Sequence, residues 1–380
     1  MPWKVTSVMQ QRYDMVQELL DRTKPARAIF AKYRISAKTG YKWLERYQLF
    51  GAEGLGDRSR RPQRSPNATP ADVTAQVVAL REQHPRWGSK KIHALLPCEG
   101  GKPCERTVHR LIKNAGLIAP VNREPAAVER FERGQPNELW QLDFKSPVWL
   151  YEPTGRTRLQ PLSVLDDHSR FALGLVALPN QQLLHLWPAL WDVFGAYGLP
   201  EAILTDNANG LFRSHRDGIT SFTMRLWRLG IRHLHGRPYH PQTQGKVERW
   251  HRTLDDEALS GQRYDSLPAL QQALEDFRNT YNHVRPHEAL NLQPPRSRYA
   301  PSVRQRPAAL PEIDYPPGAI LRTVTAKGYI SVRGCRVRVG EGLAGERVQL
   351  LEHETELVIQ YSQFRVRQVP WDELKSGQWL

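Results

Sequence analysis

Apolar positions recur at helical spacing through residues 6–50 and again through about 71–118, predicting two all-helical blocks. The stretch between them, 51–70, is polar and rich in Gly, Arg and Pro, which suits an extended linker. After a charged connector at 119–135 the period shortens to two: ELWQLDF, LQPLSVLDD and RFALGLVAL read as the first three strands of a sheet. A helix over about 182–197, a short strand through Ala202 to Thr205 and further helix after Thr220 follow. Strands first and then alternation with helices predict a mixed α/β layer over 136–293. Residues 294–317 hold seven prolines in 24 positions, too many for regular structure, and read as a second linker. Over 318–380 the segments YISV, CRVRV, RVQLLE, ELVIQYS and FRVRQV alternate in short strands, predicting a small β-barrel.

The first helical block (1–50) carries a helix over about 24–33, a short turn with Arg34 where a glycine often sits, and Ser36 as the N-cap of a second helix reaching about Tyr47. Taking Tyr41, Leu44 and Tyr47 as its inner face leaves Lys38, Thr39, Lys42 and Arg46 outward, the arrangement with which helix-turn-helix proteins enter a DNA major groove. The linker adds Arg58, Arg60, Arg61 and Arg64 within seven positions, an arm suited to phosphates or a minor groove. The second block, expected as another helix-turn-helix, presents Arg86, Lys90, Lys91, Arg106, Arg110 and Lys113, with Trp87 as a core residue.

Charge strengthens that picture: 54 Lys and Arg against 39 Asp and Glu give a formal +15, which favours a polyanionic partner. Basicity alone also suits a ribosomal or membrane-surface protein. No run approaches the roughly 20 apolar residues of a membrane span. Only three cysteines occur (Cys98, Cys104, Cys335), and the chain opens without a hydrophobic signal region, so a reducing cytoplasm is the expectation.

Three acids stand apart by setting. Asp143 lies inside an apolar strand, Asp206 ends the run AILT, and Glu248 opens a helix after a Gly-containing turn. Three carboxylates brought together from separate elements could cage a pair of magnesium ions, the arrangement that clamps both oxygens of a phosphoryl displacement. Asp166, Asp167 and Asp255 compete with them, Asp166 most credibly.

These motifs resemble the retroviral-integrase-like DDE recombinases, and the chain as a whole is similar to bacterial insertion-sequence transposases. The residues that carry the likeness are WQLD at 140–143, LDDHSRFALG at 165–174, TDN at 205–207, RPYHPQTQGKVERWHRTL at 237–254 and FRNTYNHVRPHEAL at 277–290. The entry sequence ISAKTGYKWLERYQLFGAEGLGDRSRRP also resembles the N-terminal region of one insertion-sequence group. The resemblance implies an RNase H-like core, a mixed five-stranded sheet with helices over 136–293. It also implies Asp143, Asp206 and Glu248 as ligands of two Mg²⁺ ions, with Mn²⁺ substituting. The expected activity is hydrolysis at the ends of an element to free a 3′-hydroxyl, which then joins target DNA. Expected partners are double-stranded DNA, both element ends and target, and further copies of the chain as a dimer or tetramer. Lys246, Arg249 and Arg252 on the Glu248 helix would contact flanking phosphates.

The chain departs from the pattern twice. Asp206 and Glu248 are separated by 41 residues, more than in retroviral integrases, and Ala208 follows TDN where many relatives have glycine. A catalytically inactive DNA-binding regulator on the same scaffold is the alternative from a different class. A structure-specific nuclease is the rival among enzymes.

Overall fold

The structure, a computed structural model, describes residues 7–59, 68–97, 101–118, 132–206, 211–214, 219–236 and 245–375. Contacts divide the chain into two compact units, 1–69 and 70–380. Among the described residues no helix is long and apolar enough to cross a membrane.

The first unit is three helices. Ser7 caps α1 (Val8–Leu20) by accepting from the Gln10 amide, and Ser36 caps α3 (Ala37–Phe50) by accepting from Thr39. Between them lies α2 (Ala26–Lys32). Met15, Val16, Ile29, Phe30, Trp43 and Leu55 form the core. The buried face of α3 is Gly40 and Trp43, with Leu44 and Tyr47 beside it, whereas Tyr41 is 54% exposed and packs edge-on against Phe30. The expected inner face is therefore rotated by about one position. Gly40 explains the rotation: a Cβ there would sit 2.0 Å from the Phe30 ring, so the helix approaches α2 along a position with no side chain. Arg34 takes φ +53°, the left-handed conformation its place in the turn demands.

The second unit begins with α4 (Ala71–Gln83), α5 (Ser89–Leu95) and α6 (Glu105–Asn114), closed around Val77, Trp87, Ile92, Leu96, Val108 and Ile112. The central sheet follows. β1 (Trp140–Phe144) and β2 (Val148–Glu152) pair antiparallel with successive stretches of the long β3 (Gly155–Asp166), and β4 (Ala172–Leu178) pairs with β3 as well. After α7 (Leu183–Tyr197), β5 (Ala202–Thr205) runs parallel to β1. Beyond α8 (Ser221–Arg228), β6 (Arg232–His235) runs parallel to β5. The sheet has six strands where five were expected, because the first strand is broken: Lys145-Ser146-Pro147 separates β1 from β2, which lie end to end along one edge of β3. Proline has no amide to give the ladder, so the break falls beside it.

Alternation along β1 sorts its side chains. Trp140 and Leu142 enter the core beneath α7 and α8. Gln141 and Asp143 therefore point to the opposite face, where α9 (Gly245–Leu254) and α10 (Leu267–His283) bury Val247, Trp250, Leu254, Leu270, Leu274 and Phe277.

Apart from a 3-10 turn at Pro295–Arg298 the Pro-rich stretch 294–317 is irregular, as its prolines dictate, yet it runs as a strap along the central domain. Tyr299 stacks on Phe171 at 4.4 Å and donates to Asn137. Ser302 donates its amide to Tyr197, Leu199 donates to Arg304, and the Arg304 guanidinium reaches the carbonyls of Pro200 and Leu229.

The C-terminal strands do not close into the expected barrel. β7 (Ile320–Thr323), β10 (Arg347–Glu352), β11 (Glu356–Tyr361) and β12 (Phe364–Pro370) form an open four-stranded sheet, and β8 (Tyr329–Val332) pairs only with β9 (Cys335–Arg338). Closure is replaced by cover from outside the strands. Ile219 joins the sheet's buried cluster, Met224 and Trp227 pack against it, and α11 (Trp371–Lys375) adds Leu374. Arg228 of α8 completes the joint with a bidentate pair to Glu346, at 2.6 and 2.7 Å, and a bond to the Tyr361 hydroxyl.

Candidate active site

Asp143 and Asp206 are neighbours by register. β1 and β5 pair in parallel with Trp140 opposite Ile203 and Gln141 opposite Leu204, and the same offset carried forward sets Asp143 beside Asp206. Both project to the face covered by α9, which bears the exposed Glu248 in its first turn. Asp143 is largely buried. Its carboxyl is pushed up to about 7 by loss of solvent, then by the charges of Asp206 and Glu248, while the Phe144 amide at 2.9 Å works the other way. Asp143 thus feels the charges of acids carried on two other elements. Among the described residues no three His, Cys, Asp or Glu side chains already stand as a closed ligating group.

The competing acids are bound to other tasks. Asp166 lies opposite Trp140, at the far end of β1 from Asp143, and fixes the β3–β4 turn by accepting from the Asn137 amide and from both donors of Ser169. Asp167 accepts from Gln141 at 2.7 Å and Lys246 at 2.6 Å. Asp255 pairs with the buried Lys145 at 2.7 Å.

Sequence reasoning missed the polar residues around the acids. His251, one turn beyond Glu248 on α9, sets Nδ1 3.8 Å from Asp143 Oδ2 and Nε2 2.8 Å from Ser163, the cross-strand partner of Asp143. Burial and the nearby Lys145 push its pKa down to about 4, so at neutral pH it meets Asp143 as a neutral ring rather than as a salt-bridge cation. The i, i+3 spacing of Glu248 and His251 was the available signal.

The expected DNA-contacting residues fall into four groups. Lys38 and Lys42 are exposed one helical turn apart on α3, along an open concavity that also includes Thr39, Tyr41 and Gln48. Arg58, Arg86, Lys90, Arg249 and Arg252 are exposed, as are Arg106, Arg110 and Lys113, which share the face of α6 opposite Val108 and Ile112. Thr39 and Arg46 are half-buried, Thr39 bonded to Ser36 and Arg46 lying over the Trp43 ring. Arg60, Arg61 and Arg64 lie outside the described residues, as does Ala208.

Two cations differ from expectation. Lys246 is turned inward to Asp167, donating to its carboxylate and its carbonyl, because α9 begins directly over that buried acid. Its pKa falls to about 8 through burial and then the charge of Arg170. Lys91 is also driven to about 8, by burial and then Arg285. It lies at the junction where Trp87 Nε1 and Arg285 both bond Glu257, which sits in the π-turn Asp255–Leu259 beyond α9.

Integrase core domain models match residues 133–241 and 229–295, a helix-turn-helix domain model matches 11–63, and a homeodomain-like domain model matches 39–112. An insertion element IS407 protein of Burkholderia multivorans is 28% identical over 252 residues, 63% of this chain and 86% of that one. An insertion element IS476 protein of Xanthomonas euvesicatoria is 25% identical over 253 residues, 64% of this chain and 69% of that one. The catalytic core domain of BIV integrase, at 22% identity, aligns over 42% of this chain and 92% of its own with a TM-score of 0.32. With integrase core matches running from 133 to 295 behind helix-turn-helix matches, the chain carries an integrase core behind helix-turn-helix domains and is similar to proteins of bacterial insertion elements.

Proposed function

We propose that the chain is a DNA transposase that binds the terminal inverted repeats of an insertion sequence, cleaves at the 3′ ends of the element and joins them to target DNA. The observation that carries this reading is the convergence of Asp143, Asp206 and Glu248, with the Asp143 carboxyl raised first by burial and then by the charges of the other two. Hard carboxylate oxygens that repel one another suit divalent cations, so Asp143, Asp206 and Glu248 would hold a pair of Mg²⁺ ions, or Mn²⁺ in their place. Bound there, the ions supply Lewis acidity at the scissile phosphate. The exposed Glu248 side chain has the freedom to close on the two aspartates. Neutral His251, held through Nε2 by Ser163, sets Nδ1 3.8 Å from the carboxyl of Asp143. Lys38 and Lys42 on α3 and the α6 cations would hold the element end. Water would first cut one phosphodiester, and the freed 3′-hydroxyl would then attack the target strand. The assembled species would be a dimer or tetramer, since two ends must be joined; a chain that stays monomeric by light scattering on paired end DNA would contradict this.

The test is Mg²⁺- or Mn²⁺-dependent nicking and joining on DNA from both flanks of the coding sequence, with Asp206→Asn and Glu248→Gln beside the unaltered protein. Cutting at one defined position, lost in both variants, is the expected result. Tight binding by all three proteins without cutting would favour the inactive regulator instead.

A further inference from the structure

Asp206 stands where β5 ends, and a continuous file of hydrogen bonds reaches that point from the joint with the C-terminal sheet. Thr205 Oγ1 donates to the Asp206 carbonyl at 3.1 Å. His233 on β6 places Nε2 3.0 Å from that same hydroxyl oxygen and Nδ1 2.8 Å from Thr223 Oγ1 on α8. Thr223 and Thr220 cap the helix reciprocally, each side chain accepting from the other's amide. Gly342 then lies so close to Thr220 that a Cβ would fall 2.4 Å from its carbonyl carbon, and the adjoining Ile219 is inserted in the C-terminal apolar cluster.

The donors assign the ring. Because the Thr205 hydroxyl spends its proton on the Asp206 carbonyl, its oxygen accepts from His233, so Nε2 carries the hydrogen. Nδ1 is then an acceptor, and the Thr223 hydroxyl supplies it. His233 stays neutral throughout the working range, since burial and then the neighbouring His235 push it down to about 3. Phe222, edge-on at 5.2 Å, holds the ring plane. A neutral imidazole with one donor and one acceptor is the group that joins two hydroxyls in a single direction without placing a charge beside Asp206.

We propose that His233, as the Nε2–H tautomer, is a positioning residue that ties the α8 N-terminus to Thr205 and fixes the backbone at Asp206, so that the C-terminal sheet seated on Thr220 bears on the active site. This rests on the reading of Asp206 as a functional carboxylate. It gives the C-terminal sheet a task inside its own chain, additional to any contact of its basic edges with DNA.

The first measurement is the tautomer, read from ring ¹⁵N shifts in the full chain labelled at histidine. A protonated Nε2 and an acceptor Nδ1, unchanged between about pH 5 and 8, are expected; a protonated Nδ1 overturns the proposal. The second uses Thr223→Val and, as an isosteric alternative should that variant fold poorly, Thr205→Val. Strand cleavage should fall roughly tenfold or more well below the melting temperature, because small misplacements of reacting groups are costly. Affinity for end DNA should be unchanged, and Thr223→Ser should restore the rate. Gly342→Val should lower cleavage in the same manner from the other end of the file. Unaltered cleavage by both Thr→Val variants would overturn the idea. If Asp206→Asn itself cleaves normally, the reading of the site fails, while the tautomer still reports on the file independently.

Discussion

Asp143 carries an electrostatic penalty that only a cation or a proton relieves. In the unfolded chain an aspartate titrates near pH 4, whereas here burial and two neighbouring acids raise it to about 7. The folded chain therefore holds this proton more tightly, so Asp143's contribution to stability is intact below about pH 4 and is lost as pH rises to about 7. Asp143→Asn should stabilise the metal-free protein by about 2–4 kcal/mol at pH 8 and by almost nothing at pH 4, measured by urea unfolding. A difference independent of pH would show that the carboxyl is not the source. Arg34 offers a simpler case of local strain. Its φ of +53° costs an L-residue about 1 kcal/mol, so Arg34→Gly should raise the stability of the first unit by a fraction of that amount, glycine's extra unfolded freedom taking back the rest.

At the scale of elements, the close approach of α2 and α3 depends on Gly40. Gly40→Ala should destabilise the 1–69 unit by about 1–3 kcal/mol through overpacking against Phe30 and weaken DNA binding with it. Hydrogen exchange in α1 to α3 should accelerate while β1, β3 and β5 stay protected; equal acceleration in both would refute the assignment. The same glycine marks a limit of the sequence. Periodicity located α3 and its Ser36 cap, but a face is read from side chains, and the position that packs most tightly has none, which is why Tyr41 was placed inside and Trp43 overlooked. The three acids stand out in the sequence because Asp143 lies inside an apolar strand, Asp206 ends one and Glu248 opens a helix, each a strong local signal. Ser163, His233 and His251 were not, because their meeting with Asp143 and Thr205 depends on cross-strand register and helix docking, which no local pattern records. The barrel was misjudged for a related reason. Alternation announces strands, but the cover supplied by Ile219, Met224 and Trp227 lies far from them in the chain.

In the molecule as a whole, the 70–380 unit is joined by a few charged contacts with little solvent around them. Glu257 receives both Trp87 and Arg285, and the Glu257–Arg285 side chains are only 13% and 10% exposed. Glu257→Ala should cost about 3–5 kcal/mol, because it strands Arg285 beside Lys91 without its counter-charge, and exchange should rise first in α4 to α6. A loss below about 1 kcal/mol would mean the contact is no stronger than a surface pair. The 294–317 strap has a consequence of another kind. Asn137, at the entry to β1, accepts from Trp140 Nε1 and from the Tyr299 hydroxyl, and gives its own amide to the Ala300 carbonyl. A ribosome making this chain finishes the N-terminal helices early, with all their core partners in hand. The layer beneath Asp143 waits for residues translated more than 150 codons later. Messages cut short before Tyr299 would yield products able to hold the helical fold but lacking the clasp on the central sheet, so the order of synthesis itself leaves that sheet unclasped until residues 299 and 300 have been made.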